Sequence, residues 1–402
     1  MTDPKKFIVG VNYWPAGQAM ELWRSFDPGK VDAELRAASG AGLQWVRIFL
    51  RWEDFQPEPS RLSGEALDNL VFLADAAAGA GLRIVPTFFT GFMGGILWLP
   101  PWMLDSSVRR DGPFVSSSGK LRRNGIRNWY GDRKVIKAQT DQARRVAALL
   151  AGSGVVAAWD LGHMPSLAVV PSDREDAAYW LASLSGALRD VDESVPVTLG
   201  LAKSDLVDGG PLGPLEAAEA CDFISVEAFG FGVSWLEERD DAAWPAFVGM
   251  MARWITGKPV LVHAFGHHTE PRRWAALSGP DQELLEKTSP MDEDDAADYC
   301  RDTLDGMRRA GLMGGLVWCL NDFAEDAWAR PPLDRNVFDR FFGLFRDDGS
   351  PKAAALALTD LGEAERVEAD SDPPWIDIDA EAYWANPSAA FERLYRAYRD
   401  RL

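Results

Sequence analysis

The chain has 402 residues, of which 47% are hydrophobic, a length and composition that suit one large α/β barrel with insertions. Its formal net charge of −19 at pH 7 argues against nucleic acid and anionic membranes as partners, because phosphate groups are bound by clustered Lys and Arg. Three widely spaced cysteines and a start without a long apolar segment give no disulfide framework, no zinc pattern and no targeting signal, so we expect a cytoplasmic protein.

Short apolar runs alternate with longer amphipathic segments, which is typical of βα units around a parallel sheet. Eight strands are predicted, at Phe7–Tyr13, Gln44–Leu50, Arg83–Phe89, Val155–Leu161, Val195–Leu199, Asp222–Ala228, Pro259–Phe265 and Gly314–Leu320. The clearest predicted helices are Val31–Ala41, Gly64–Ala80, Ile136–Leu150, Arg174–Leu188 and Asp294–Ala310. This order predicts a (β/α)8 TIM barrel.

Two segments fall outside the βα repeat. The long stretch Thr90–Lys134 follows the third strand, and in such a barrel the loops after the strands form the active-site face, so it should wall or cover the cleft. The acidic tail becomes helical from Pro387 to Arg399. We expect residues 1–366 to form the barrel and residues 367–402 to form an extension packed on it.

Two short motifs stand at the ends of the fourth and seventh predicted strands. Residues 159–165 read W-D-L-G-H-M-P, and residues 258–266 read K-P-V-L-V-H-A-F-G. With G-V-N-Y-W-P at residues 10–15 and W-E-D-F-Q-P at residues 52–57, they resemble glycoside hydrolase clan A, and most of all family 5, the cellulases and mannanases. The resemblance covers nearly the whole chain and implies a TIM barrel whose site lies at the carboxyl ends of the strands.

The resemblance also implies that the catalytic carboxylates are missing. The family patterns W-D-L-x-N-E-P and K-P-V-x-x-x-E-F-G place the acid/base Glu at Met164 and the nucleophilic Glu at Ala264. The family Asn that precedes the acid/base falls on His163, and the Tyr of the sixth strand falls on Phe229. A thioether cannot donate a proton and a methyl group cannot attack an anomeric carbon, so ordinary retaining hydrolysis is not expected.

The loss of the nucleophile raises the question of what neutralises Arg47, which the resemblance pairs with that carboxylate. A buried guanidinium without a partner would cost several kcal/mol. We expect Glu227, at the end of the sixth strand, to restore the ion pair. Two alternatives remain: Glu227 is a relocated acid or base working with His163, or Arg47 binds an anionic group of the ligand. Asp160 is expected to be structural, within the barrel wall.

Histidine placement suggests a further alternative. The chain has four histidines, and all follow two strands: His163 after the fourth, and His263, His267 and His268 at the seventh. A metal centre with Glu227 as an oxygen ligand is conceivable, although the spacing is not diagnostic. Hydrogen-bonded or exposed imidazoles, or His163 as a group that contacts substrate, are the other interpretations. No other cofactor is predicted.

Aromatic side chains are the predicted ligand-binding surface. Seven of the 17 tryptophans could form platforms for sugar rings, namely Trp14, Trp52, Trp98, Trp102, Trp129, Trp235 and Trp318. The resemblance places Trp318 under the sugar at the cleavage subsite, and Phe229 is a further predicted ligand contact. Core packing is the alternative for the other tryptophans. Acidic residues after the eighth strand are expected to be solvated, namely Asp322, Glu325 and Asp326.

Three functions are compatible with these residues. The first is a pseudoglycosidase that binds a sugar or a glycosylated small metabolite. The second is a repurposed enzyme, with His163 and Glu227 as acid and base or with a metal. The third is a protein that binds a partner without catalysis. The ligand and the oligomeric state are left open by the sequence.

Overall fold

The computed structural model describes residues 5–238, 240–359, 361–368 and 373–402. Eight parallel strands close into a barrel in which sequence neighbours pair and the last strand pairs with the first. The strands are Ile8–Tyr13, Trp45–Phe49, Arg83–Thr87, Trp159–His163, Val197–Leu201, Ile224–Glu227, Val260–Phe265 and Gly314–Val317. The predicted (β/α)8 fold is confirmed.

All eight predicted strands are present, and two of them lie further along the chain than predicted. The fourth strand begins at Trp159 and extends to His163, and the fifth runs from Val197 to Leu201. The carbonyl of Val155 accepts from the N–H of Ile84, and the N–H of Ala157 donates to the carbonyl of Ile84, so the start of the predicted run still pairs with the third strand. The shift places His163 inside the fourth strand, not after it.

Helices separate the strands and cover the barrel. They are Pro28–Gly40, Trp52–Phe55, Gly64–Gly79, Arg133–Leu150, Arg174–Arg189, Pro214–Ala220, Trp244–Thr256, Gly279–Glu286, Glu293–Arg309 and Ala353–Ala357. Several begin at an Asp or Ser whose side chain accepts hydrogen bonds from the first free backbone N–H groups, as Asp132 and Asp292 do. The five helices predicted from the sequence are all found.

The insertion after the third strand folds into small sheets over the carboxyl end of the barrel. Its strands are Phe92–Met93, Ile96–Trp98, Leu104–Arg109, Val115–Ser117, Lys120–Arg122 and Asn124–Ile126. Trp14 Nε1 donates to Met93 Sδ at 2.9 Å, and Trp102 Nε1 donates to the backbone carbonyl of Gln56 at 3.1 Å. The insertion therefore covers part of the mouth of the barrel, as predicted.

The C-terminal extension contains the helices Ala380–Ala385 and Pro387–Arg399. Tyr383 is fully buried, and its hydroxyl donates to the carbonyl of Leu206, in the loop after the fifth strand, at 2.6 Å. The boundary between barrel and extension at residue 366 stays a prediction. In the part of the chain that the structure describes, no helix has the length and apolar character needed to cross a bilayer.

Candidate functional site

A buried ion pair lies at the centre of the site. Arg47 Nε and Nη2 donate to Asp160 Oδ2 at 2.9 and 2.5 Å, and both side chains are 1% exposed. Thr87 Oγ1 donates to the same oxygen at 2.9 Å, because Thr87 is the register partner of Asp160 in the neighbouring strand. The other carboxylate oxygen of Asp160, Oδ1, accepts hydrogen bonds from the backbone N–H groups of Gly162 and Gly200 at 3.3 and 2.9 Å.

This pairing corrects the prediction that Glu227 neutralises Arg47. Asp160, which the sequence assigned to the barrel wall, is the partner of the guanidinium. Burial lowers the pKa of Arg47, and the Coulomb attraction of Asp160 opposes that change. Since Asp160 matches the charge of Arg47, an alanine at position 264 does not leave this buried cation without a counter-charge.

Glu227 forms a local ion pair instead. It is 7% exposed, and its Oε1 accepts from Lys203 Nζ at 2.9 Å. Its Oε2 accepts from the N–H of Phe229 at 3.2 Å. The carboxylate therefore stands at the end of the sixth strand with a cation and a backbone donor beside it.

Asp205 is a carboxyl group that the sequence analysis missed. It lies two residues after Lys203 and is 6% exposed, and its Oδ2 accepts from the N–H of Ala202 at 2.9 Å. Burial raises its pKa to about 7, and the nearby charge of Glu227 contributes to the rise. A single Asp in a loop of an acidic protein gives no sequence signal for such burial.

Met164 and Ala264, which the resemblance aligns with the catalytic carboxylates of the family, lie at the ends of the fourth and seventh strands. Met164 follows the fourth strand with φ 49° and ψ 53°, a left-handed conformation that is uncommon for a residue other than glycine. Ala264, in the seventh strand, is the register partner of Glu227. Met164 is 8% exposed and Ala264 is 2% exposed. Backbone strain of this kind is concentrated at functional sites.

The four histidines form two pairs. The rings of His163 and His263 lie 5.6 Å apart, and the rings of His267 and His268 are stacked at 4.7 Å. His268 Nε2 lies 2.7 Å from Thr288 Oγ1, and His267 Nδ1 lies 2.9 Å from the carbonyl of His268. Among the described residues no group of three or more His, Cys, Asp or Glu could hold a metal ion. The geometry therefore does not support the metal alternative.

The inner pair is strongly desolvated. His163 is 3% exposed and His263 is 1% exposed, and among the described residues His163 Nδ1 and both ring nitrogens of His263 have no hydrogen-bond partner of normal geometry. Burial lowers the pKa of both imidazoles well below the usual value, and the positive charge of Arg47 lowers it further. Both rings are therefore neutral at pH 7.

Most of the predicted aromatic platforms serve as packing in this structure. Trp14 and Trp52 have no exposed surface, and Trp129 is 3% exposed. Trp14 stacks on Phe49 with ring centroids 5.3 Å apart, whereas Trp52 and Trp129 meet edge to face at 6.1 Å. Their contact with a ligand stays a prediction.

Trp318 and Phe229 follow the eighth and sixth strands and are less buried than Trp14, Trp52 and Trp129. Trp318 is 8% exposed and Phe229 is half-buried. The ring of Phe49 lies 6.0 Å from Trp318 and 5.3 Å from His163, so it connects these two predicted site residues. The structure thus brings His163 and Trp318 to one place.

The comparisons with known proteins concern the fold. No protein-family model and no curated protein matches the sequence. A variant of a GH5_18 protein from Streptomyces cattleya, in complex with Manβ1-4GlcNAc, aligns with a TM-score of 0.77 and 20% identity, over 98% of this chain and 92% of that chain. GH5_18 from Bifidobacterium longum subsp. infantis aligns with a TM-score of 0.78 and 18% identity, over 98% of this chain and 90% of that chain.

An exo-β-1,4-mannosidase from Opitutaceae bacterium strain TAV5 is also similar. Its TM-score is 0.69 at 24% identity, and the alignment covers 89% of this chain and 59% of that chain. At these identities the likeness establishes a shared barrel fold.

Removing the charge of Asp160 should destabilise the barrel. Asp160→Asn leaves Arg47 buried without a counter-charge, and we expect the free energy of unfolding to fall by about 3–5 kcal/mol. Urea denaturation followed by circular dichroism measures this change. Asp32→Asn is the matched control, because its pair with Arg36 is on the surface and should contribute less than about 1 kcal/mol. Equal effects of the two substitutions would contradict the central role of the buried pair.

The neutral state of His163 predicts a pH dependence of stability. Below about pH 6.5 the imidazole binds a proton in the unfolded chain but not in the folded one, so acid favours unfolding. In His163→Asn this contribution is absent. The advantage of the wild type over the variant should therefore shrink by about 1.4 kcal/mol per pH unit below pH 6.

Urea denaturation of both proteins between pH 7.5 and 5 provides the comparison. Asp205, whose pKa is raised to about 7, titrates in both proteins and cancels in the difference. Parallel stability profiles for the two proteins would show that His163 is protonated in the folded state.

Proposed function

We propose that this chain is a family 5-like glycoside hydrolase barrel that binds a sugar or a small glycosylated metabolite and does not perform retaining hydrolysis. The observation that carries the proposal is the pair of residues at the ends of the fourth and seventh strands. Met164 and Ala264 stand where the family resemblance requires a proton donor and a nucleophile. Neither side chain can perform either step.

The state of the neighbouring groups supports this proposal. His163 is neutral at pH 7, because burial and Arg47 lower its pKa, so it is not the imidazolium that would act as a general acid. Arg47 is occupied by Asp160, which argues against recognition of an anionic ligand group there. A neutral ligand is therefore the better match to the site.

The similar structures suggest the class of ligand. Their names include complexes with Manβ1-4GlcNAc and with GlcNAc, and an exo-β-1,4-mannosidase. We propose that this chain binds a short neutral saccharide of that kind, with Trp318 and Phe229 as its aromatic contacts. The three cysteines are all buried free thiols, which suits a reducing compartment, and we propose a cytoplasmic location.

Truncating the retained aromatic should weaken sugar binding. We expect Trp318→Ala to reduce the affinity for Manβ1-4GlcNAc by roughly 1–3 kcal/mol, since the indole supplies the apolar face for the ring. Isothermal titration calorimetry measures the change. Trp384→Ala, a half-buried tryptophan of the C-terminal extension, is the matched control. Unchanged affinity in Trp318→Ala would place the ligand elsewhere.

A second candidate function is altered acid–base chemistry in the same cleft. Two carboxyl groups near one another, Asp205 with a pKa raised to about 7 and Glu227 paired with Lys203, have the unequal environments that acid–base catalysis uses. This candidate assigns Glu227 the role of base and Asp205 that of acid.

Chromogenic α- and β-glycosides separate the two functions. The pseudoglycosidase proposal predicts no turnover of any of them by the wild type. Turnover that is abolished in Glu227→Gln and retained in Glu238→Gln, an exposed glutamate near the C-terminal helix, would favour the second candidate.

A further inference from the structure

A separate cavity of about 410 Å³ lies between the loops that follow the seventh and eighth strands. Its volume is within the range of small-molecule sites. We propose that this cavity is a second carbohydrate-binding site, specific for a neutral mono- or disaccharide. The proposal goes beyond the function assigned to the cleft, because Trp318, Met164 and Glu227 are not among the residues that line this cavity.

A fixed carboxylate provides a hydrogen-bond acceptor in the cavity. Asp322 is 8% exposed, and its Oδ1 accepts from Lys352 Nζ at 2.7 Å and from the N–H of Gly343 at 2.8 Å. No described residue donates a hydrogen bond to its Oδ2. Lys352 is itself held by Thr269 Oγ1 at 2.8 Å. The carboxylate is thus immobilised and charge-compensated, with one oxygen available to a ligand hydroxyl.

A tryptophan of fixed orientation is among the residues that line the cavity. Trp328 Nε1 donates to the carbonyl of Phe323 at 2.7 Å, which fixes the orientation of the indole. The guanidinium of Arg340 covers one ring face at 4.8 Å, and Arg340 does not line the cavity although Trp328 does. The indole therefore lines the cavity while Arg340 packs on one of its faces. A rigid apolar surface of this kind suits the C–H face of a pyranose ring.

The rim offers both donors and acceptors. Arg272 pairs with Asp348 at 3.1 Å, and Arg346 pairs with Glu293 through two nitrogens. Acidic side chains outnumber basic ones among the lining residues, which disfavours an anionic ligand. A polyhydroxylated neutral molecule can use both kinds of group at once.

The experiment measures binding in a background from which the cleft contact has been removed. Trp318→Ala is titrated with Manβ1-4GlcNAc, N-acetylglucosamine and mannose, by saturation-transfer-difference NMR. We expect at least one of these sugars to bind this variant. Adding Trp328→Ala or Asp322→Asn should then weaken that binding at least tenfold. Trp274→Ala, a nearby half-buried tryptophan that does not line the cavity, is the matched control and should have no effect.

Arg272→Ala is a second variant of the cavity lining that should not affect folding. The side chain is 68% exposed, so its removal should leave the melting temperature unchanged. It should weaken binding about threefold. The proposal is overturned if Trp318→Ala binds none of the three sugars, if Trp328→Ala and Arg272→Ala leave its binding unchanged, or if the cavity binds a cationic amine such as choline but no sugar. If instead the proposed sugar binding in the cleft is wrong, the wild type and Trp318→Ala should bind the sugars with equal affinity.

Discussion

The salt bridge between Arg47 and Asp160 is the interaction on which the site depends. Placing two charges inside a barrel is costly, and the cost is offset only when each charge is fully hydrogen-bonded. Here the carboxylate accepts from Arg47, from Thr87 and from two backbone N–H groups, so it connects the second, third, fourth and fifth strands. Because this pair is complete without any group from the seventh strand, position 264 can be alanine without electrostatic penalty.

The same ion pair also affects the protonation of the neighbouring histidines. A positive charge that is buried but compensated still disfavours protonation of His163 and His263. Both imidazoles are therefore uncharged at neutral pH, and the charged groups at the centre of the barrel are Arg47 and Asp160. Glu227 stands apart from it, with Lys203 as its own counter-charge.

The fold could be predicted from the sequence because the signals were local and ordered. Continuous apolar runs marked strands buried on both faces, and the motifs around Trp159 and Lys258 fixed which strands they were. The partner of Arg47 could not be predicted, since topology placed Glu227 nearby but gave no information about strand register. The register of the third and fourth strands places Asp160 opposite Thr87, where its carboxylate also meets Arg47. The burial of Trp14 could not be predicted from the sequence either, because it depends on the position of Met93 in the folded insertion.

The hydroxyl of Tyr383 has a consequence for how this protein should be handled. It attaches the C-terminal extension to Leu206, at the end of the short helical turn Lys203–Leu206 that carries the counter-charge of Glu227 and the buried Asp205. Shortening the chain before Ala380 would release that turn from its anchor. Such a truncation would change the surroundings of Glu227 and Asp205 although it removes none of the barrel strands. Tyr383 and Leu206 are 177 positions apart in the sequence.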